Sequence, residues 1–219
     1  MAPDLDFHFD PVCPFAWITS RWVTHVQEQR HYEVDWRFIS LWMLNEKSIG
    51  SDWYTPRYRA AHYVGHQGLR IADAIRLTES DPSAVGRWYT AAGTAIHVDG
   101  TLRELRKRDE EVDARAFYTD VLKEAGFDVS YVDAIDDESH DDHLRAETEL
   151  ALSRAGDDVG TPILAYRPGT DDEMSFFGPV ISKAPRGEEA VRLWDAIETL
   201  AASRVAELKR SFRDDLDFT

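Results

Sequence analysis

A chain of 219 residues can bury a sizeable core, as one domain with an insertion or as two small domains. With 43% hydrophobic and 11% aromatic residues, it is neither disordered nor of low complexity. Its 25 basic against 41 acidic side chains leave a net charge of −16, which argues against non-specific binding to nucleic acid or anionic lipid, and no window approaches the roughly 18 apolar residues of a membrane span.

The opening Met1-Ala2-Pro3-Asp4-Leu5-Asp6 is acidic and lacks the basic and apolar regions of a signal peptide. The single cysteine could not staple a secreted fold, so a cytoplasmic protein is expected. Leu5, Phe7 and Phe9 alternate with Asp6, His8 and Asp10, the period of a half-buried strand. Pro11 ends it, because proline cannot donate to a ladder. Pro14 suits the first turn of a helix, where its missing N–H costs nothing. Phe15, Ile18, Trp22 and Val26 then repeat at helical spacing and give that helix one apolar face. Val34, Trp36 and Phe38 alternate with Asp35 and Arg37 as a second strand. A helix between two strands of one sheet predicts a parallel, right-handed crossover.

The pattern changes from about residue 41 to residue 158. Arg59–Arg76, Arg87–Ile96, Ala114–Ala125 and His143–Ala155 carry helical periodicity. Gly50-Ser51-Asp52, Asp81-Pro82-Ser83, Asp99-Gly100 and Gly126-Phe127-Asp128 punctuate them as turns. Asp133 to His143 holds six acidic residues in eleven positions, a solvated face or a helix entry. Strand signals return in Pro162–Tyr166 and Met174–Phe177, joined by a hairpin-like loop through Pro168-Gly169-Thr170-Asp171-Asp172. Ala190, Leu193, Trp194, Ile197, Leu200 and Ala201 mark one side of a long final helix.

The reading is an α/β protein with βαβ–ββα order around a central helical insertion. Residues 1–40 and 159–205 form the core, 41–158 the insertion, and 206–219 a charged, frayed tail.

Cys13 stands at the strand-to-helix junction in Asp10-Pro11-Val12-Cys13-Pro14-Phe15-Ala16-Trp17. The unsatisfied N–H groups and positive dipole end of a helix stabilise an anion there. Cysteine pKa values at such places fall from about 8.5 to between about 3.5 and 7.5. A thiolate is the attacking species, so Cys13 is a candidate nucleophile. The alternative is a buried, inert cysteine, the common state of a solitary one.

Cys13-Pro14-Phe15-Ala16 resembles the Cys-x-x-Cys motif of DsbA-like members of the thioredoxin superfamily, which share the βαβ–ββα order and a helical insertion. The chain is most similar to the actinobacterial mycothiol-dependent nitroreductase group within them. The likeness lies in Phe9-Asp10-Pro11, Trp17-Ile18-Thr19-Ser20-Arg21-Trp22, Ser40-Leu41 with Leu44-Asn45-Glu46, and Ile96-His97. It continues in Asp158-Val159-Gly160-Thr161-Pro162, Phe176-Phe177-Gly178-Pro179-Val180 and Pro185-Arg186-Gly187-Glu188-Glu189-Ala190 with Leu193-Trp194-Asp195.

One departure matters. Dithiol members carry a second cysteine where this chain has Ala16, and that second thiol resolves a mixed disulfide by intramolecular attack. With one cysteine in the chain no internal disulfide can form, so monothiol chemistry at Cys13 with an external thiol, mycothiol or glutathione, is what remains.

The resemblance further implies a cis Thr161–Pro162 bond against the cysteine, the alternative being an ordinary strand-initiating proline. It places Asn45 and Tyr58 along a substrate cleft. Phe15 and Trp17 flank the thiol as an aromatic wall or as core, and His97 is a proton donor or a structural histidine.

His140-Asp141-Asp142-His143 resembles a metal box without an identifiable third ligand; a Ser139 helix cap explains the same letters, and no metal is expected. Neither G-x-G-x-x-G nor a P-loop occurs, so no tightly bound nucleotide is expected, while a dissociable flavin or deazaflavin stays open.

The function expected is that of a DsbA-like thiol oxidoreductase acting on a small electrophile or mixed disulfide. A thiol-dependent isomerase or transferase, and a non-catalytic small-molecule-binding protein, are the alternatives. Oligomeric state is not legible.

Overall fold

The computed structural model describes residues 3–102, 112–203, 205–210 and 214–219. Four strands form one sheet in the order β2-β1-β3-β4: β1 Leu5–Phe9, β2 Val34–Phe38, β3 Ile163–Tyr166 and β4 Met174–Phe177. β3 runs antiparallel to β1, with Leu5 opposite Tyr166 and His8 opposite Ile163, and β4 runs antiparallel to β3. The described helices are α1 Pro14–Gln27, α2 Leu41–Leu44, α3 Pro56–Thr78, α4 Ala84–Gly93, α5 Ala114–Ala125, α6 Asp141–Ala155 and α7 Gly187–Ala201.

The chain divides into two compact units. The first comprises Met1–Phe9, Cys13–Arg37 and Ala151–Thr219; the second comprises Asp10–Val12 and Phe38–Leu150. These divisions fall at 37/38 and 150/151, earlier than the 40/41 and 158/159 read from periodicity. The cause is polar. Phe38 N–H donates to Glu147 Oε2 (3.4 Å), Ser40 N–H to Thr148 Oγ1 (3.0 Å) and Leu41 N–H to Asp10 Oδ2 (2.8 Å), which ties these residues into the helical unit.

In the first unit, α1 and α7 pack through tryptophans. Trp22 Nε1–H donates to Ala190 O (2.9 Å), and its ring lies 5.4 Å from Trp194. Trp194 also meets Tyr32 edge-on at 4.5 Å and Tyr166 at 5.3 Å. β1 corrects the half-buried expectation, because all five of its residues are buried. It is a central strand, and Arg154 near the end of α6 covers its polar side. Arg154 Nη1 lies 2.7 Å from Asp6 Oδ2 and 3.0 Å from His8 Nε2, while its Nε donates to Glu173 Oε1 (2.8 Å). Burial pushes the Asp6 carboxyl above its ordinary range, against the pull of Arg154.

The second unit is built around α3. Thr55 caps it, accepting from Tyr58 N–H, and Pro56 opens its first turn. Leu69, Ile71, Ala72 and Ile75 are buried with Trp88 and Tyr89 of α4 and Tyr118 and Leu122 of α5. Gly68 is required by this packing, because a Cβ there would strike the Tyr118 ring, whose hydroxyl donates to Val64 O (2.8 Å). Arg70 anchors the acidic stretch, donating to both carboxylate oxygens of Asp141 (2.7 Å each) and to Ile135 O (2.8 Å). The helix expected through Ile96 stops at Gly93 and passes into a π-turn, Thr94–Val98.

Replacing Arg154 by Met should destabilise the chain by about 3 kcal/mol in urea unfolding, because the nearly buried Asp6 loses its closest cation. Combining it with Asp6→Leu should recover most of that loss; no recovery would show that the Asp6–Arg154 pair is not the source.

Candidate active site

Cys13 is the N-cap of α1, in extended conformation at φ −79° and ψ 114°. Its sulfur accepts from Ala16 N–H at 3.5 Å, the geometry an N-cap side chain uses to satisfy an orphan donor. On its other side the Sγ–H donates to Thr161 O at 3.4 Å. Thr161 is held in turn, its hydroxyl donating to His8 O at 2.9 Å. The Thr161–Pro162 bond is cis, and Pro162 O accepts from Gly178 N–H at 2.8 Å. Cys13 is 6% exposed, Thr161 4% and Ala16 fully buried.

The two sulfur partners act in opposite senses. The Ala16 N–H and the helix dipole favour an anionic sulfur. The Thr161 carbonyl favours the protonated thiol, since it needs a donor. A thiolate would leave that carbonyl for an incoming donor. The sulfur is therefore seated between a group that stabilises its reactive form and one that favours its keeping the proton.

Periodicity missed two further members. Thr19, one turn beyond Phe15, donates from Oγ1 to Pro179 O at 2.8 Å. Gly178 has φ +102°, and Gly178–Pro179 is a second cis bond. The Gly-Pro pair stands within a segment of the family likeness, but nothing in the letters tied it to Thr19.

The expected site residues separate by unit. Cys13, Pro14, Phe15, Ala16, Trp17, Thr161 and Pro162 lie in the first. Phe15 is half-buried; Trp17 is buried and its Nε1–H donates to Phe218 O at 3.4 Å. Asn45, Tyr58 and His97 lie in the second. Asn45 ends α2, its Nδ2 donating to Leu41 O at 2.8 Å. Tyr58 is 58% exposed, edge-on to His62. His97, on the π-turn, brings Nε2 within 2.9 Å of Pro11 O, a contact within the second unit.

His140 and His143 each direct Nδ1 to the buried Asp73, at 2.7 and 2.5 Å. Among the described residues no group of three or more His, Cys, Asp and Glu is arranged to hold a metal ion. Ser139 is not the cap that was expected: it is its backbone N–H that donates, to Asp137 Oδ1 at 2.9 Å. Asp137 caps the turn.

Asp10, three residues before Cys13, is buried, with Oδ1 accepting from Val12 N–H (3.0 Å) and Oδ2 from Leu41 N–H (2.8 Å). Gly65 leaves room for it: a Cβ there would lie 2.5 Å from Oδ1. Burial pushes the Asp10 carboxyl up to about 7, although both hydrogen bonds oppose the rise.

Between the unfolded value near 3.8 and about 7 the folded chain holds a proton that the unfolded chain has released. Stability from this group is therefore fully present below pH 3.8, falls as pH rises towards 7, and is flat above. Wild type should lose about 4 kcal/mol relative to Asp10→Asn between pH 4 and 8. Parallel urea midpoints of the two chains over that range would refute the assignment.

A family model described as that of mycothiol-dependent nitroreductase Rv2466c matches residues 12–210. The uncharacterised protein Rv2286c of Mycobacterium tuberculosis is 33% identical over 208 residues, covering 94% of this chain and 81% of that protein. A cysteine-to-serine variant of Proteus mirabilis DsbA, in complex with a non-covalently bound peptide, aligns over 92% of this chain and 90% of its own at a TM-score of 0.51 and 12% identity. 2-Hydroxychromene-2-carboxylate isomerase aligns over 90% of this chain and 94% of its own at a TM-score of 0.53 and 12% identity. These structural likenesses establish a DsbA-like thioredoxin fold. The family match runs through Cys13, Thr161 and Pro162, and the chain belongs to the Rv2466c-like family of mycothiol-dependent nitroreductases.

Proposed function

We propose that this chain is a cytoplasmic monothiol oxidoreductase that uses Cys13 and a low-molecular-weight thiol, mycothiol or glutathione, on a small electrophile or mixed disulfide. The observation that carries the reading is the seat of the sulfur, between the Ala16 N–H and the Thr161 carbonyl, with a methyl group at the resolving position. The family adds mycothiol as the first thiol to test.

In the simplest cycle the Cys13 thiolate attacks one sulfur of a disulfide R–S–S–R′, forms Cys13–S–S–R and expels R′–S⁻. An external thiolate R″–S⁻ then attacks the adduct, releasing R–S–S–R″ and restoring the Cys13 thiolate. Net, one external thiolate R″–S⁻ enters and one thiolate R′–S⁻ leaves while R–S–S–R′ becomes R–S–S–R″. A second R″–S⁻ acting on R–S–S–R″ is needed to release R–S⁻ and complete reduction to R″–S–S–R″. The proton on Cys13 passes to solvent before the first attack. Asn45 and Tyr58 are proposed as substrate contacts on the strength of the family likeness, and Trp17 as an aromatic neighbour of the thiol. His97 is assigned a structural role through Pro11. A thiol-dependent isomerase is the second reading, favoured by the same methyl at Ala16, since such chemistry needs no resolving cysteine.

Incubation with glutathione disulfide or mycothiol disulfide should add one small thiol to the intact mass of wild type and none to Cys13→Ser. Ala16→Cys should lose two hydrogens on mild oxidation, because its new thiol lies one helical turn from Cys13. A wild-type chain that takes no adduct, while folded and reduced, would sink the oxidoreductase reading.

A further inference from the structure

We propose that residues 214–219 form a strap that closes over the thiol-bearing end of α1 and limits access of small reagents to Cys13. Of the expected frayed tail, residues 206–210 are exposed, but its last residues are docked. Asp217 N–H donates to Ser182 O at 2.8 Å, and Asp217 Oδ2 pairs with Lys183 Nζ at 2.9 Å. Phe218 O accepts the Trp17 indole N–H at 3.4 Å. Thr219 folds back on Asp217, donating from its N–H (3.1 Å) and its hydroxyl (2.6 Å) to Oδ1. Every one of these residues belongs to the compact unit that holds Cys13.

Helix geometry sets where the strap lies. Trp17 follows Cys13 by one turn, its N–H donating to Cys13 O at 3.1 Å, so the two share a face of α1. A helical side chain leans towards the N-terminus and covers the turn before its own Cα. The Trp17 ring therefore roofs the turn that begins at Cys13. That ring is only 2% exposed, with the Arg21 guanidinium 4.3 Å from its centroid and the Phe218 carbonyl on its N–H.

The anchors suit something that opens. Lys183 is 73% exposed and Asp217 33%, and partly exposed ion pairs of this kind are individually weak and sensitive to salt. Leu216, Asp217 and Phe218 are half-buried rather than built into the core. The functional meaning of the strap rests on the monothiol reading, whereas access to the sulfur is measurable without it.

The test is the rate of Cys13 alkylation by N-ethylmaleimide in the full-length folded chain, read by intact mass. Asp217→Lys sets two ammonium groups against each other and should react about fivefold faster than wild type, the scale of change that a partly exposed ion pair supports. The charge swap, Lys183→Asp with Asp217→Lys, should bring the rate most of the way back. An Asp217→Lys rate within about twofold of wild type, or a swap as fast as Asp217→Lys, would overturn the strap. Failure of the monothiol reading looks different: an Asp217→Lys chain that alkylates quickly yet takes no small-thiol adduct.

Discussion

A sulfur atom held between one backbone donor and one backbone acceptor is the constraint around which the first unit is organised. The donor, Ala16 N–H, exists because Pro14 opens a helix directly after Cys13 and leaves its first-turn N–H groups without partners. The acceptor, Thr161 O, is in place because β3 pairs with β1 in the register that sets Ile163 opposite His8. The Thr161 hydroxyl on His8 O then fixes the residue between strand end and cis proline. A slip of the β1–β3 pairing would turn every side chain of β3 to the other face and remove the sulfur's acceptor. The seat of the Cys13 sulfur is thus a consequence of a strand register some 150 residues along the chain, not of the Cys-Pro-Phe-Ala letters alone.

The same protein tolerates costly charges where they hold elements together. Arg154 places a guanidinium over the polar face of a central strand, and Arg70 does the equivalent for the acidic stretch of the helical unit. Burial pushes Asp141 up, but the hydrogen bonds from Arg70 and His66 outweigh it and hold the carboxyl below its ordinary range. Asp10 is the contrasting case. It has two backbone donors and no cation bonded to it, and desolvation wins. A guanidinium offsets desolvation at the partly exposed Asp141, whereas at the fully buried Asp10, and at Asp6 despite Arg154, burial raises the carboxyl.

Much of the fold was legible because its signals are local. The period of two in Leu5–Phe9 and Val34–Phe38 and the helical period in Ala114–Ala125 are carried by neighbouring residues, and the elements match. What escaped depends on residues far apart in sequence. β1 read as half-buried because nothing near Asp6 and His8 announces that Arg154 covers them. The π-turn at Thr94–Val98 departs from the helical hydrogen-bonding pattern, which side-chain periodicity does not report. The tail read as frayed because its composition is charged, yet Ser182, Lys183 and Trp17 supply partners for Asp217 and Phe218 at its end. At the site, Cys13, Ala16 and Thr161–Pro162 were accessible through helix-start chemistry and family likeness. The link between Thr19 and Pro179 was not, since it is a single hydrogen bond to a main-chain carbonyl.

The most direct test of the account is the kinetic order of adduct release. A Cys13 mixed disulfide with glutathione or mycothiol can be prepared, freed of excess reagent and mixed with a range of external thiol concentrations. Because Ala16 offers no internal nucleophile, the release rate should rise in proportion to the added thiolate and extrapolate to zero without it. A rate that is independent of external thiol would mean that the chain resolves the adduct by a group other than a second thiol, and would contradict the monothiol account.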